Sequence, residues 1–172
     1  MSLRLRVVLG ALLALGCFGI LPASAADSGT PDYVVINLQV QVNRPAEQVW
    51  KKVGEDYCAI VQWLKVTCKL SSGSGEVGTV RVINDTTIEP MVAKTPWSYT
   101  YTQTAGAMAP RTYHGTIAIE PNGTGKSVLK YTLFYNQAVI ATDAERASEH
   151  TRIATRFQGA LDAMKAIAEA QP

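Results

Sequence analysis

The chain has 172 residues, 47% of them hydrophobic and 17% charged, with 16 Lys+Arg against 14 Asp+Glu. That length suits one domain with a substantial core. The near-balanced charge, without a basic run, excludes the electrostatic footprint of a nucleic-acid binder or of a protein held on an anionic membrane surface.

The first segment reads as a secretory leader. Arg4 and Arg6 supply a positive start, Val7 to Leu21 an apolar run, and Pro22 a break. Ala23-Ser24-Ala25 then offers the small residues a signal peptidase reads. The sequence therefore predicts a cut after Ala25, removal of residues 1–25 and a periplasmic or secreted product with no stable membrane anchor. The apolar run falls short of the roughly 20 residues a membrane-spanning helix needs. Acylation at Gly16-Cys17 is the rival reading, which Ala14 and Leu15 fit poorly. Loss of Arg4 and Arg6 brings the basic residues level with the 14 acidic ones.

Residues 26–33 are a small, polar leader, and the domain is expected over 34–170. Val34, Ile36, Leu38, Val40 and Val42 alternate with Asn37, Gln39 and Gln41, which predicts a half-buried strand. Asn43-Arg44-Pro45 ends it and starts a helix carrying Ala46, Val49, Trp50 and Val53. After Gly54, Tyr57 to Leu64 reads as a second short helix bearing Cys58 and Trp63. Six strands follow: one carrying Val66, Cys68 and Leu70, then Val77 to Ile83, Thr86 to Ala93, Trp97 to Gln103, Thr112 to Glu120 and Ser127 to Asn136. Pro90 inside the third of these calls for an edge position or a bulge. Tight turns between successive strands favour an antiparallel sheet. Thr142 with Glu145 is a capping box, opening a helix over about 143–170. Its stripe runs through Ala147, Ile153, Ala154, Phe157, Ala160, Leu161, Met164, Ile167 and Ala168.

One helix cannot cover the whole concave face of a curved seven-stranded sheet, so part of that face should enclose a cavity for a small apolar ligand. Tyr99, Tyr101, Tyr113, Tyr131 and Tyr135 fall on the inward register, with Trp97 beside them. Trp63 and Phe157 are the helical candidates for the same lining. Buried phenols need partners, so the tyrosines either supply polar handles to a cavity or bond one another inside a core. Arg81 and Glu89 would be ligand contacts if they face inward, and the outward register stays open. Cys58 and Cys68 are either a disulfide or two buried thiols.

Catalytic constellations are not found. His114 lies opposite the tyrosines and His150 lies off the helical stripe, so neither is paired with a nucleophile. The two cysteines have no histidine nearby to build a metal site. Gly125-Lys126-Ser127 lacks the first glycine of a phosphate loop, having Glu120 there, and precedes a strand. No catalytic residue, metal or cofactor is assigned.

Several strings in this order resemble the START-like (SRPBCC) superfamily, in its polyketide cyclase/dehydrase branch. They are Val42-Asn43-Arg44-Pro45-Ala46-Glu47-Gln48-Val49-Trp50, Cys58 to Trp63, Gly78-Thr79-Val80-Arg81, Trp97-Ser98-Tyr99-Thr100-Tyr101 and Tyr113-His114-Gly115-Thr116. The resemblance implies an α+β helix-grip fold: a seven-stranded antiparallel sheet wrapped around a long C-terminal helix, with two short helices after the first strand. It also implies a sheet–helix ligand cavity, and supports pairing Cys58 with Cys68. Thr86 to Met91 departs from the family pattern, in which a longer strand-turn-strand is common. Size, leader and fold resemble exported accessory proteins of periplasmic methanol oxidation, of the MxaD type.

Three functions follow as expectations. The first is a non-enzymatic exported protein binding a small apolar or amphipathic molecule. The second is an accessory factor for a periplasmic dehydrogenase or cytochrome. The third is a cyclase or dehydratase using a cavity tyrosine or Glu89 as acid or base. The cytoplasmic setting of family cyclases counts against the third for an exported chain.

Overall fold

A computed structural model describes residues 29–170, so the expected leader over 1–25 lies outside the described residues. The elements are β1 (Tyr33–Val42), α1 (Ala46–Val53), α2 (Val61–Leu64), β2 (Cys68–Ser72), β3 (Val80–Ile83), β4 (Thr87–Thr95), β5 (Ser98–Thr102), β6 (His114–Pro121), β7 (Ser127–Asn136) and α3 (Asp143–Glu169). All seven strands form one sheet in the order β1-β7-β6-β5-β4-β3-β2, and every pairing is antiparallel. From β2 onward the strands are joined to their sequence neighbours. The segment holding α1 and α2 carries the chain from β1 at one edge to β2 at the other.

The alternation in β1 and β7 places Ile36, Val42, Leu129, Tyr131, Leu133 and Tyr135 inside. The 27-residue α3 lies across β1 and β7 and buries Ile153, Ala160, Leu161, Met164 and Ala168. Its first turn is held as the Thr142–Glu145 spacing predicts. The Thr142 hydroxyl accepts from the Glu145 N–H at 3.2 Å, and the Glu145 carboxylate accepts from the Thr142 N–H at 3.1 Å. Ala147 is exposed, so the buried stripe begins at Ile153, later than its spacing suggests.

Four local expectations need correction. The second helix is only Val61–Leu64, with turns before it. Val77 is exposed and precedes Gly78 at φ +93°, so β3 starts at Val80. Leu70 is exposed on the edge strand β2. Trp97 does not open β5: Pro96 and Trp97 make the two-residue turn between the paired Thr95 and Ser98, and Trp97 is 37% exposed. There the turn chemistry of proline overrides strand alternation.

Pro90 lies in an interior strand. It falls where the β4–β5 ladder is interrupted, between the Ile88–Ala105 bridge and the Met91–Tyr101 pair, next to a register shift at Met91/Ala93. A residue without an N–H is tolerated at such a break. Asn84 and Asp85 both have positive φ (48° and 57°) and turn β3 into β4, a conformation these residue types adopt more readily than most.

Candidate functional site

The β3–β4 register sets Arg81 directly opposite Glu89, on the concave side of the sheet. Arg81 is fully buried and Glu89 is 5% exposed. The Arg81 Nε and Nη2 donate to Glu89 Oε2 at 2.9 and 2.7 Å, and Nη1 donates to the Tyr57 carbonyl at 2.7 Å. The guanidinium carbon lies 4.2 Å from the Tyr57 ring centroid and 4.6 Å from that of Tyr101, which sandwiches the cation between two aromatic faces. Tyr57 in turn donates from its hydroxyl to the Glu89 carbonyl at 3.1 Å. The other carboxylate oxygen, Glu89 Oε1, accepts from Gln103 Nε2 at 3.1 Å. Gln103 is itself fixed, because its Oε1 accepts from the Met108 N–H at 2.7 Å.

Beside this pair the tyrosines form a short chain of hydroxyls. Tyr101 meets Tyr131 at 2.5 Å and Tyr113 at 3.2 Å. Gly115 makes room for it: a Cβ there would stand 2.4 Å from the Tyr101 hydroxyl oxygen. Burial pushes the Tyr101, Tyr113 and Tyr131 hydroxyls above the ordinary tyrosine range, so all three are neutral at neutral pH.

A cavity of about 230 Å³ opens over this floor. Glu89, Tyr101, Gln103 and Tyr113 supply polar surface at its floor, and Asn84 and Thr87 add to it. Ile60, Leu64, Val66, Met108, Ile153 and Phe157 supply its apolar walls. Arg152 and Arg156 complete the lining from α3. Arg152 donates to Glu149 at 2.6 and 2.9 Å, and Arg111 bonds the same carboxylate. The Arg152 bonds, with that of Arg111, hold the Glu149 carboxyl below its usual range.

Of the residues singled out in the sequence, Glu89, Tyr101, Tyr113 and Phe157 line this cavity together. Arg81 faces inward but is covered behind Glu89. Tyr131 meets the lining through the Tyr101 hydroxyl and through Phe157, whose ring lies 4.7 Å away. Tyr99 packs edge-on against Tyr57 and Trp50 in the core. Tyr135 and Trp63 are buried and do not line the cavity, and their Oη and Nε1 have no hydrogen-bond partner among the described residues. Trp97 sits on the surface, for the reason given above. The tyrosine-rich face is thus part cavity and part self-bonded core.

Gln103, Arg152 and Arg156 were missed. Gln103 lies just past β5 and shares the parity of Tyr99 and Tyr101, so the alternation of the expected Trp97 to Gln103 strand is the signal that points to it. The arginines flank Ile153 and Phe157 at helical spacing, and an Arg pair at i and i+4 beside a buried stripe is the signal that points to them. Cys58 and Cys68 are joined in a disulfide with Cα atoms 5.5 Å apart. Ile60, Leu64 and Val66 all lie inside the loop it closes, so the bridge clamps one cavity wall.

A seven-stranded antiparallel sheet gripping one long helix, with a lined cavity between them, defines a helix-grip protein. The family described as polyketide cyclase / dehydrase and lipid transport matches residues 33–169. The chain belongs to that family, within the START-like superfamily. No curated protein matches it. Among solved structures it is similar to truncated norcoclaurine synthase from Thalictrum flavum (14% identity, 86% of this chain and 100% of that one, TM-score 0.65). It is also similar to the protein XoxI from Bacillus cereus (21%, 78% and 96%, TM-score 0.63). A third is a protein from Nitrosospira multiformis (17%, 77% and 94%, TM-score 0.62). At these identities the likeness is one of fold.

Proposed function

We propose that this protein is exported, is cut after Ala25, and as a domain over 34–170 binds a small amphipathic molecule in the sheet–helix cavity. The observation that carries the reading is the cavity itself: apolar walls over a floor of convergent polar groups held in place by the buried Arg81–Glu89 pair. Its volume of about 230 Å³ lies below the usual range for drug-sized ligands and above the roughly 150 Å³ that already accommodates benzene. A molecule of one or two rings fits that interval. The family's description, which includes lipid transport, supports a ligand with apolar surface. Export is supported by the leader motif and by the Cys58–Cys68 disulfide, since such bonds persist in oxidising compartments.

Native mass spectrometry of protein purified from its own host should find a bound small molecule. Empty protein, combined with no thermal shift across lipids and one- and two-ring aromatics, would overturn the reading.

A second reading, an accessory factor of the kind that serves methanol oxidation, is supported by a different surface. On the outer face of the sheet, exposed Tyr33 stacks on Phe134 at 4.6 Å beside exposed Val35. Co-purification of a dehydrogenase or cytochrome, lost on Tyr33→Ser, would favour it.

A further inference from the structure

We infer that the cavity's ligand is an amphipathic acid placed with a neutral hydroxyl or N–H against Glu89 and its anionic end between Arg152 and Arg156. This rests on the binding reading above and adds the ligand's chemical class and direction.

The inner end sets the first requirement. A carboxylate offers about four lone-pair positions. Glu89 Oε2 uses two on Arg81, and Oε1 uses one on Gln103. One acceptor position on Oε1 therefore remains on a residue that lines the cavity. Arg81 already balances the carboxylate's charge at 2.7 Å. The floor thus presents an acceptor without net charge, which favours a neutral donor over an ammonium ion, whose desolvation would go uncompensated.

The outer end sets the second. Arg111 and Arg152 share one carboxylate, Glu149. Arg156 makes no ion pair among the described residues and lines the cavity one turn beyond Arg152. Three guanidinium groups stand against Glu149 and the Glu145 that neighbours Arg111 and Glu149, which still leaves this end positive, and a guanidinium is suited to a carboxylate by geometry as well as charge. Apolar Ile153 and Phe157, next to the two arginines on α3, line the same cavity. A ring with a hydroxyl at one end and a carboxylate at the other meets both requirements.

The probes are para-hydroxycinnamate, cinnamate (no hydroxyl) and para-vinylphenol (no carboxylate), titrated by calorimetry into the disulfide-bonded protein. The expected result is that para-hydroxycinnamate binds about tenfold more tightly than either analogue, a hydrogen bond or charge contact being worth about that factor. Arg156→Gln, at an exposed position that folding does not require, should weaken the two carboxylates about threefold and leave para-vinylphenol unchanged. Added salt should do the same. Equal binding of para-vinylphenol and para-hydroxycinnamate overturns the anionic end, and equal binding of cinnamate overturns the inner donor. In both cases the cavity reading stands. Binding of none of the three, with an empty native mass spectrum, removes the cavity reading and this inference together.

Discussion

Under α3, where β1 and β7 meet the helix, Leu129, Leu133, Leu161 and Met164 are wholly buried and the packing is apolar. Across the same concave face, from β3 and β4 through β5, the interior instead holds an arginine, a glutamate and a chain of tyrosine hydroxyls that runs from Tyr101 to Tyr113 before β6 and to Tyr131 on β7. The first region closes by area: each large apolar side chain contributes about 1.5–3 kcal/mol on burial. The second stays open although Ile153 and Phe157 of α3 border it, and most of its polar groups bond one another. The apolar packing and the cavity thus lie toward opposite ends of one sheet and meet at Tyr131 and Phe157.

The comparison breaks most readily at Arg81. Arg81→Met should cost about 3–5 kcal/mol in urea unfolding, because it leaves the Glu89 carboxylate buried and uncompensated. Arg81→Met with Glu89→Leu should recover most of that loss, as replacing both members of a buried pair often does. If the single variant is neutral, the pair is not the solvent-excluded floor described here. Leu161→Ala, in the closed half, should cost about 2–5 kcal/mol from lost transfer energy and a residual void. It should leave ligand affinity unchanged, and a large loss of affinity would show that the two halves are not separable.

Replacing both Cys58 and Cys68 by serine should cost about 3 kcal/mol, from the loop-closure entropy of a short loop. Because Ile60, Leu64 and Val66 lie in that loop, it should also weaken binding, read as a reduced thermal shift with ligand. The smallest effects separate two tyrosines on one strand. Tyr131→Phe removes a hydroxyl that meets Tyr101 at 2.5 Å and should cost about 1 kcal/mol. Tyr135→Phe removes one that is unpartnered among the described residues, and should be neutral or slightly stabilising.

The long periods were readable from sequence: β1, β7 and α3 have clean alternation or a clean stripe, and the Thr142 cap marks where the helix begins. The inward facing of Arg81 was not. Val80 and Val82 on the opposite register are as good strand formers as Ile83, so periodicity cannot choose a face, and only pairing with Glu89 across the turn at Asn84-Asp85 does. Trp97 misled for a related reason, since it shares parity with Tyr99 and Tyr101 while Pro96 bends the chain away. The arginines at the cavity were obscured because a charged residue flanking an apolar helical stripe normally means solvent. Only the fold shows that this stretch of α3 overhangs a gap in the packing.

The central claim is that a ligand enters the open half and nowhere else. Side-chain methyl NMR of the protein titrated with para-hydroxycinnamate tests it most directly. The account predicts shifts at Ile60, Leu64, Met108 and Ile153, with Leu133, Leu161 and Met164 unmoved. Perturbation centred on Val35, on the outer face beside Tyr33 and Phe134, would contradict it.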